Sequence, residues 1–252
     1  MGEHFLDFCK LLGVKSHPSD YEKSLFEKTQ KYCRYISWIP GLKMVGVCGS
    51  LSMHATKTPE ETKKIKGTDG SDIDLFIITA NKRMWFVRIA VTIIFQILGV
   101  RRHGDKVKER FCLSFFITEN AMDFSKIAIE NDIYLFYWIY YLKPIINKDN
   151  TYERFIKANE NLGINSINLH GDNKIYLVKP IFVISSKVEK SINFILNPLL
   201  DLKNWMLKKI FLSKTLKHKK RLGDPFGLIV NDNMLKFTDN DRRVEIRDEL
   251  SR

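Results

Sequence analysis

The chain predicts an α/β (α+β) fold, in which a small, mixed, twisted sheet with flanking helices is followed by a mainly helical C-terminal domain. Three observations carry that expectation. The apolar run Met44-Val45-Gly46-Val47-Cys48 stops at Gly49-Ser50 and reads as a buried strand delivering a tight turn into a helix start. DIDLFIIT, residues 72–79, and FCLSFFIT, residues 111–118, are β-branched and aromatic in the manner of strands, with an apolar helical stretch between them. From about residue 121 onward the pattern is chiefly helical.

In chain order, Ser19 and Asp20 are suited to cap a helix over 19–38, where Leu25, Phe26, Cys33 and Ile36 fall near helical spacing before Pro40-Gly41. HATKTPEETKKIKGTDGS, residues 54–71, has no apolar period and is expected as an exposed loop. In the second strand Asp72 and Asp74 share one face while Ile73, Leu75 and Ile77 take the other, because strand side chains alternate. Asn81 stands where it would cap the apolar helix that runs to Leu98-Gly99, and Arg101-Arg102 suit that helix's C-terminal end by charge. In the third strand, alternation puts Cys112, Ser114, Phe116 and Thr118 on one face. IENDIYLFYWIYYLKPII is expected as a helix that ends before Pro144 or kinks there, with a dense aromatic face read as core or domain-interface packing in preference to base stacking. A short helix over 151–160 and a mostly helical segment over 181–221, interrupted near Pro198, precede a charged end.

The 252 residues can bury a sizeable core, and 44% hydrophobic content with 13 Gly and 7 Pro excludes disordered and collagen-like chains. Cys9, Cys33, Cys48 and Cys112 lie far apart and lack metal-ligand spacing, so a reduced, cytoplasmic chain is expected. MGEHFLDFCKLLGV at the start has no basic segment leading a long apolar run, and no signal peptide is expected. MWFVRIAVTIIFQILGV, residues 84–100, would span ~25 Å as a helix against the ~30 Å of a bilayer core. It also carries Arg88 and Gln96, which fits a buried helix better than a membrane segment.

The chemistry concentrates in one short region. Two carboxylates at i and i+2 on a strand sit ~7 Å apart at their backbones and can converge on one divalent cation. Mg²⁺ takes hard oxygen ligands and completes its shell with substrate phosphates, which Asp72 and Asp74 could share. Gly49 would let backbone amides approach a phosphate closely, and the Ser50 hydroxyl would bond a phosphate oxygen. Taken together these pieces point to a nucleoside triphosphate handled with Mg²⁺ or Mn²⁺. The histidines are scattered, and His54, the one near this region, is read as a surface residue.

Cys48-Gly49-Ser50-Leu51 followed by Ser71-Asp72-Ile73-Asp74-Leu75-Phe76 resembles the polymerase-β-like nucleotidyltransferase superfamily over residues of about 40–120. The whole chain also looks like stand-alone members of that superfamily, in which an aspartate-led aromatic helix such as Asp132–Leu142 follows the third strand. The resemblance implies that Gly49 and Ser50, with Ser71 preceding the first aspartate, hold the triphosphate and that Asp72 and Asp74 ligate the metals. It further implies transfer of a nucleoside monophosphate to an acceptor hydroxyl with release of pyrophosphate. Two departures stand out. The spacer from Ser50 to Asp72 is long, so the Lys-bearing stretch 57–66 is an insertion beside the site. The third strand also lacks the family's third carboxylate, leaving Ser114 as a possible third site position and Asp132, Glu130 or Glu109 as remote substitutes. An enzyme with one strong metal site and a catalytically weak nucleotide- or RNA-binding module both fit that loss. Domains are expected over 1–120 (catalytic), 121–230 (helical) and 231–252 (a charged C-terminal tail).

Lys+Arg 41 against Asp+Glu 29 gives a net charge of +12, which points to a polyanionic partner. KNWMLKKIFLSKTLKHKKR, residues 203–221, contains Lys203, Lys208, Lys209, Lys214, Lys217, Lys219, Lys220 and Arg221 and no acid. A basic amphipathic helix of this kind can face nucleic acid, a membrane surface or solvent. Beside a nucleotidyltransferase motif, Lys208, Lys209, Lys217, Lys219, Lys220 and Arg221 become candidate RNA contacts. An RNA end is the first choice of acceptor and a protein hydroxyl, as in AMP-transferring toxin or antitoxin enzymes, the second; a membrane is the least favoured partner.

Overall fold

A computed structural model describes residues 2–66, 70–163, 176–178, 186–221, 227–238 and 241–251. Its fold is mixed α/β. Among the described residues the strands are β1 (Leu42–Val47), β2 (Ile73–Thr79), β3 (Phe111–Thr118), β4 (Lys143–Asn147), β5 (Leu228–Val230) and β6 (Met234–Phe237). They form one sheet in the order β4-β1-β2-β3-β6-β5. β2 and β3 pair in parallel and every other neighbour is antiparallel. A parallel pair needs a crossover, and α5 (Met84–Ile97) supplies it.

The remaining helices are α1 (Gly2–Leu12), α2 (Asp20–Cys33), α3 (Gly49–Ser52), α4 (Pro59–Lys66), α6 (Ile133–Tyr140), α7 (Thr151–Lys157), α8 (Ser186–Arg221) and α9 (Arg243–Leu250). Alternation along β2 splits the core in two. Ile73, Leu75 and Ile77 join α2, α5 and the inner side of α8 in one layer. Phe76 and Ile78 join α1, α6, α7 and α9 in the other. Phe76 is wholly buried there, with its ring 4.9 Å from Phe115 and 5.2 Å from both Trp138 and Phe155. The aromatic face of α6 is core packing, as the sequence suggests.

Several elements differ from the sequence reading. The expected loop over 54–71 contains α4, begun by a reciprocal cap in which Thr58 N donates to Glu61 Oε2 and Glu61 N to Thr58 Oγ1 (2.7 and 3.3 Å). Asn81 does not cap α5; its amide bonds Asn120, and the first turn of α5 is capped from α8, where Asn204 Oδ1 accepts from Phe86 N at 3.1 Å. The aromatic helix ends before Pro144, one of its two expected outcomes; it stops at Tyr140, and Pro144 lies in β4, an edge strand that tolerates a residue without an N–H. The charged end is not simply a tail, since it holds β6, paired to β3, and α9. Pro198 stands inside α8. The stretch 161–180, whose sequence pattern is ambiguous, is described only at 161–163 and 176–178.

Phe76→Ala should cost about 3–5 kcal/mol in urea unfolding, because its ring is wholly buried among Phe115, Phe124, Trp138 and Phe155 and its loss leaves a cavity. Ile97→Ala, at a site 78% exposed, should stay within about 0.5 kcal/mol of wild type.

Candidate active site

The site begins where β1 gives way to α3. Gly49 takes φ +69°, a left-handed conformation that residues with a Cβ rarely adopt. A Cβ there would also lie 2.9 Å from Asp74 Oδ2. Two constraints on one residue therefore allow the Asp74 carboxylate to press against the turn. Cys48 N donates to Asp74 O at 3.1 Å and ties the turn to β2. Ser50 and Ser71 line the same cleft, as the motif requires.

Asp72, Asp74 and Cys112 each offer a ligand atom, all within 4.8 Å of one another. Cys112 is the neighbour of Asp74 because parallel strands start at the same edge of the sheet, so the early residues of β2 meet the early residues of β3. Past this point the register shifts, with Cys112 to Phe115 on β3 spanning Asp74 to Phe76 on β2. The extra residue breaks the expected alternation along 111–118. Cys112 and Ser114 both line the cleft, and Ser114 hydrogen-bonds the Cys112 sulfur. Phe115 then turns to Phe76, whereas Phe116 belongs to the opposite core layer rather than to the face of Cys112.

Burial, and after it the charge of Asp72, raises the Asp74 carboxyl to about 7, against the opposing pull of a Cys112 hydrogen bond and Arg102. Burial, followed by the two aspartates, pushes the Cys112 thiol up to about 12, so it is neutral near pH 7. Arg102 donates to Asp72 Oδ2 at 2.6 Å and lines the cleft. The two carboxylates fit a hard divalent cation, Mg²⁺ or Mn²⁺, while the neutral thiol is a softer and weaker third donor.

The cleft measures about 630 Å³ and joins both halves of the chain. Its charged lining consists of Lys57, Arg102, Lys236, Arg242 and Arg243 against Asp74 and Asp241. Arg243 is its structural hinge pin, only 4% exposed, donating to Asp241 Oδ1 (2.9 Å), Asp132 Oδ2 (3.0 Å) and the carbonyl of Ile127 (2.8 Å). Lys236 meets Asp241 Oδ2 at 3.0 Å, and burial, then Arg243, hold its amine below the usual lysine range.

The remote carboxylates do not replace the missing one. Asp132 caps α6 by accepting from Leu135 N and faces Arg243, and Glu109 pairs with Lys28 at 3.0 Å. His54 is not a surface residue: it is 7% exposed, and burial disfavours its charged form. Among the candidate RNA contacts, Lys208 pairs with Asp232 and Lys209 lies 4.0 Å over the Trp205 ring. Lys217 and Lys220 are exposed, and the side chains of Lys219 and Arg221 lie outside the described residues. α8 packs on the α2–α5 layer, whereas the cleft is floored by Met53, Phe115, Trp138 and Ile246 of the other layer, so the sheet separates them.

The sequence reading missed Arg102, Lys236, Arg242 and Arg243 as parts of the cleft, and Cys112 as the partner of Asp74. Pairing the starts of the second and third strands would have found Cys112. Nothing local marks the C-terminal cations, which reach the cleft only through β6 and α9. No family model, no curated protein and no solved structure matches the chain.

Asp74 binds its proton more tightly folded than unfolded, so the folded state loses stability as pH rises from the unperturbed 3.8 through about 7. Asp74→Asn should therefore leave stability near pH 3.8 unchanged and raise it by on the order of 2 kcal/mol at pH 8, read by thermal unfolding without divalent cations. Gly49→Ala should cost about 1–2 kcal/mol from backbone strain plus the Asp74 clash. A double-mutant cycle with Asp74→Ala should recover the clash and leave the strain.

Proposed function

We propose that this chain is a metal-dependent nucleotidyltransferase of the polymerase-β-like type, moving a nucleoside monophosphate from an NTP to an acceptor hydroxyl, preferentially an RNA end, with release of pyrophosphate. The observation that carries the reading is the meeting of Asp72, Asp74 and Cys112 within 4.8 Å beside the Gly49-Ser50 turn. The cleft volume suits a small ligand, and its excess of cations suits a polyanionic one.

Each residue has a task in this reading. Gly49 leaves room for the Asp74 carboxylate against the turn, and the hydroxyls of Ser50 and Ser71 orient the phosphate oxygens. Asp72 and Asp74 would hold a divalent cation, which when bound would neutralise the triphosphate and activate the acceptor hydroxyl. Arg102, now on Asp72, and Lys57 at the mouth can turn to the phosphates, where a guanidinium or ammonium stabilises charge that develops on the leaving pyrophosphate. Lys236 and Arg243 keep the opposite wall in place through Asp241 and Asp132.

A second reading is a nucleotide-binding module with weak catalysis. Cys112, a neutral thiol where a third carboxylate would serve as base, favours it. The acceptor hydroxyl on a protein instead of RNA is a variant of the first reading.

Incubation with labelled NTPs, Mg²⁺ or Mn²⁺, and either total RNA or cell proteins tests the proposal. Wild type should transfer label to a macromolecule, and Asp72→Asn/Asp74→Asn should lower the rate by about a hundredfold or more. Cys112→Asp should raise the rate with Mg²⁺ by about tenfold by restoring a hard third donor. Metal-dependent nucleotide binding with no transfer by either wild type or Cys112→Asp would establish the module instead.

A further inference from the structure

α8 is apolar on two sides. Its inner side, with Leu207, Phe211 and Leu212, packs against the core, and its polar residues turn inward as well: Asp201 pairs with Arg83, and Asn204 caps α5. On the outer side Leu199, Leu202, Met206 and Ile210 are spaced three, four and four residues apart, which aligns them along one face of the helix. They are 48, 53, 48 and 54% exposed, so each keeps about half of its surface in water. Burying such a stripe against protein is the normal fate of aligned aliphatic side chains, and a contiguous exposed one marks an interaction surface.

The lysines say what meets it. Lys203, Lys209, Lys214, Lys217 and Lys220 are exposed on the same side of α8, and residues 203–221 contain no acid. Trp205 is half exposed with the Lys209 ammonium 4.0 Å from its ring, a pair suited to the boundary between water and acyl chains. Aliphatic side chains cannot stack on bases, and Trp205 is the one exposed ring among the described side chains of α8, so the stripe does not suit RNA. No helix among the described residues is long and apolar enough to cross a membrane.

We propose that the outer face of α8 is a peripheral docking surface for an anionic lipid bilayer. The helix lies in the interface plane, with Leu199, Leu202, Met206 and Ile210 in the acyl boundary and the lysines among acidic headgroups. The cleft lies across the sheet from this face and so opens away from the bilayer, toward water. This surface is independent of the nucleotidyltransferase reading.

Flotation of the full chain with vesicles tests it, comparing pure phosphatidylcholine with phosphatidylcholine carrying about one-third phosphatidylglycerol, in about 0.1 M salt. Wild type should float at least about tenfold more with the anionic vesicles, with a blue shift of Trp205 emission that Trp205→Phe removes. Met206→Asp/Ile210→Asp should lose that binding by about tenfold or more with unchanged circular dichroism and thermal midpoint, since both side chains are half in water already. Lys217→Ala/Lys220→Ala should weaken it and flatten its salt dependence. Equal or absent flotation with both vesicle types would overturn the proposal. So would retention on total RNA that the lysine variant loses and the Met206/Ile210 variant keeps, or a dimer in solution that the Met206/Ile210 variant dissociates, when either comes without vesicle binding.

Discussion

The Asp74 carboxylate lies in contact distance of a backbone that can hold no side chain, and much of the cleft follows from that approach. Gly49 must be glycine both for its left-handed φ and for the 2.9 Å that a Cβ would leave to Asp74 Oδ2. The backbone bond from Cys48 to Asp74 fixes the turn to β2, and the parallel pairing with β3 then brings Cys112 to the other side. Asp74 is thus desolvated beside a second carboxylate, an arrangement that destabilises the ionised form. Strain of this kind persists only when the surroundings over-determine it, and here two packed aromatic and aliphatic layers hold the sheet on both faces. A cation shared by the two carboxylates would relieve this unfavourable pairing, which is in line with the proposed metal site.

The second constraint comes from the far end of the chain. β6 extends the sheet beside β3, and α9 then lies against α6, so Lys236, Arg242 and Arg243 reach a cleft whose motif was laid down some 160 residues earlier. Arg243 holds this wall by bonding Asp241, Asp132 and the Ile127 carbonyl while almost fully buried. Removing one partner from such a network leaves a buried charge uncompensated, which makes the geometry of the wall specific even if its net contribution to stability is modest. The same Asp132 caps α6. One carboxylate therefore links the aromatic helix to the C-terminal helix and shapes the cleft without entering it.

Two groups of cations stand on surfaces that the sheet keeps apart. One group of cations converges on the cleft, and the other runs along the outer side of α8. A single track from the lysine-rich helix to the Gly49-Ser50 turn, natural to imagine along the sequence, is not the arrangement in space, because the inner face of α8 is taken up by α5 and the first core layer. What remains outward on α8 is a mixture of aliphatic and basic side chains, a composition with a different use from the polar cleft.

By itself the sequence determined the strands β1, β2 and β3, the helix between the last two, the aspartate pair on one face and the glycine turn, because each rests on local rules: alternation along a strand, helical period, and the freedom of a residue without a Cβ. It even contained the cap of α4, since Thr58-Pro59-Glu60-Glu61 is a helix start that the lysine-rich composition masked. The tertiary structure alone decided that Cys112 faces Asp74, that Ser114 shares its side, and that Phe116 does not. A one-residue shift of register reverses every side chain beyond it, and register between strands separated by a helix is a property of packing. It alone also brought Arg102, Lys236 and Arg243 to the cleft and left the stripe on α8 half exposed. Which of two apolar faces on a helix meets the core depends on what the other helices bury, and no local pattern of residues records that.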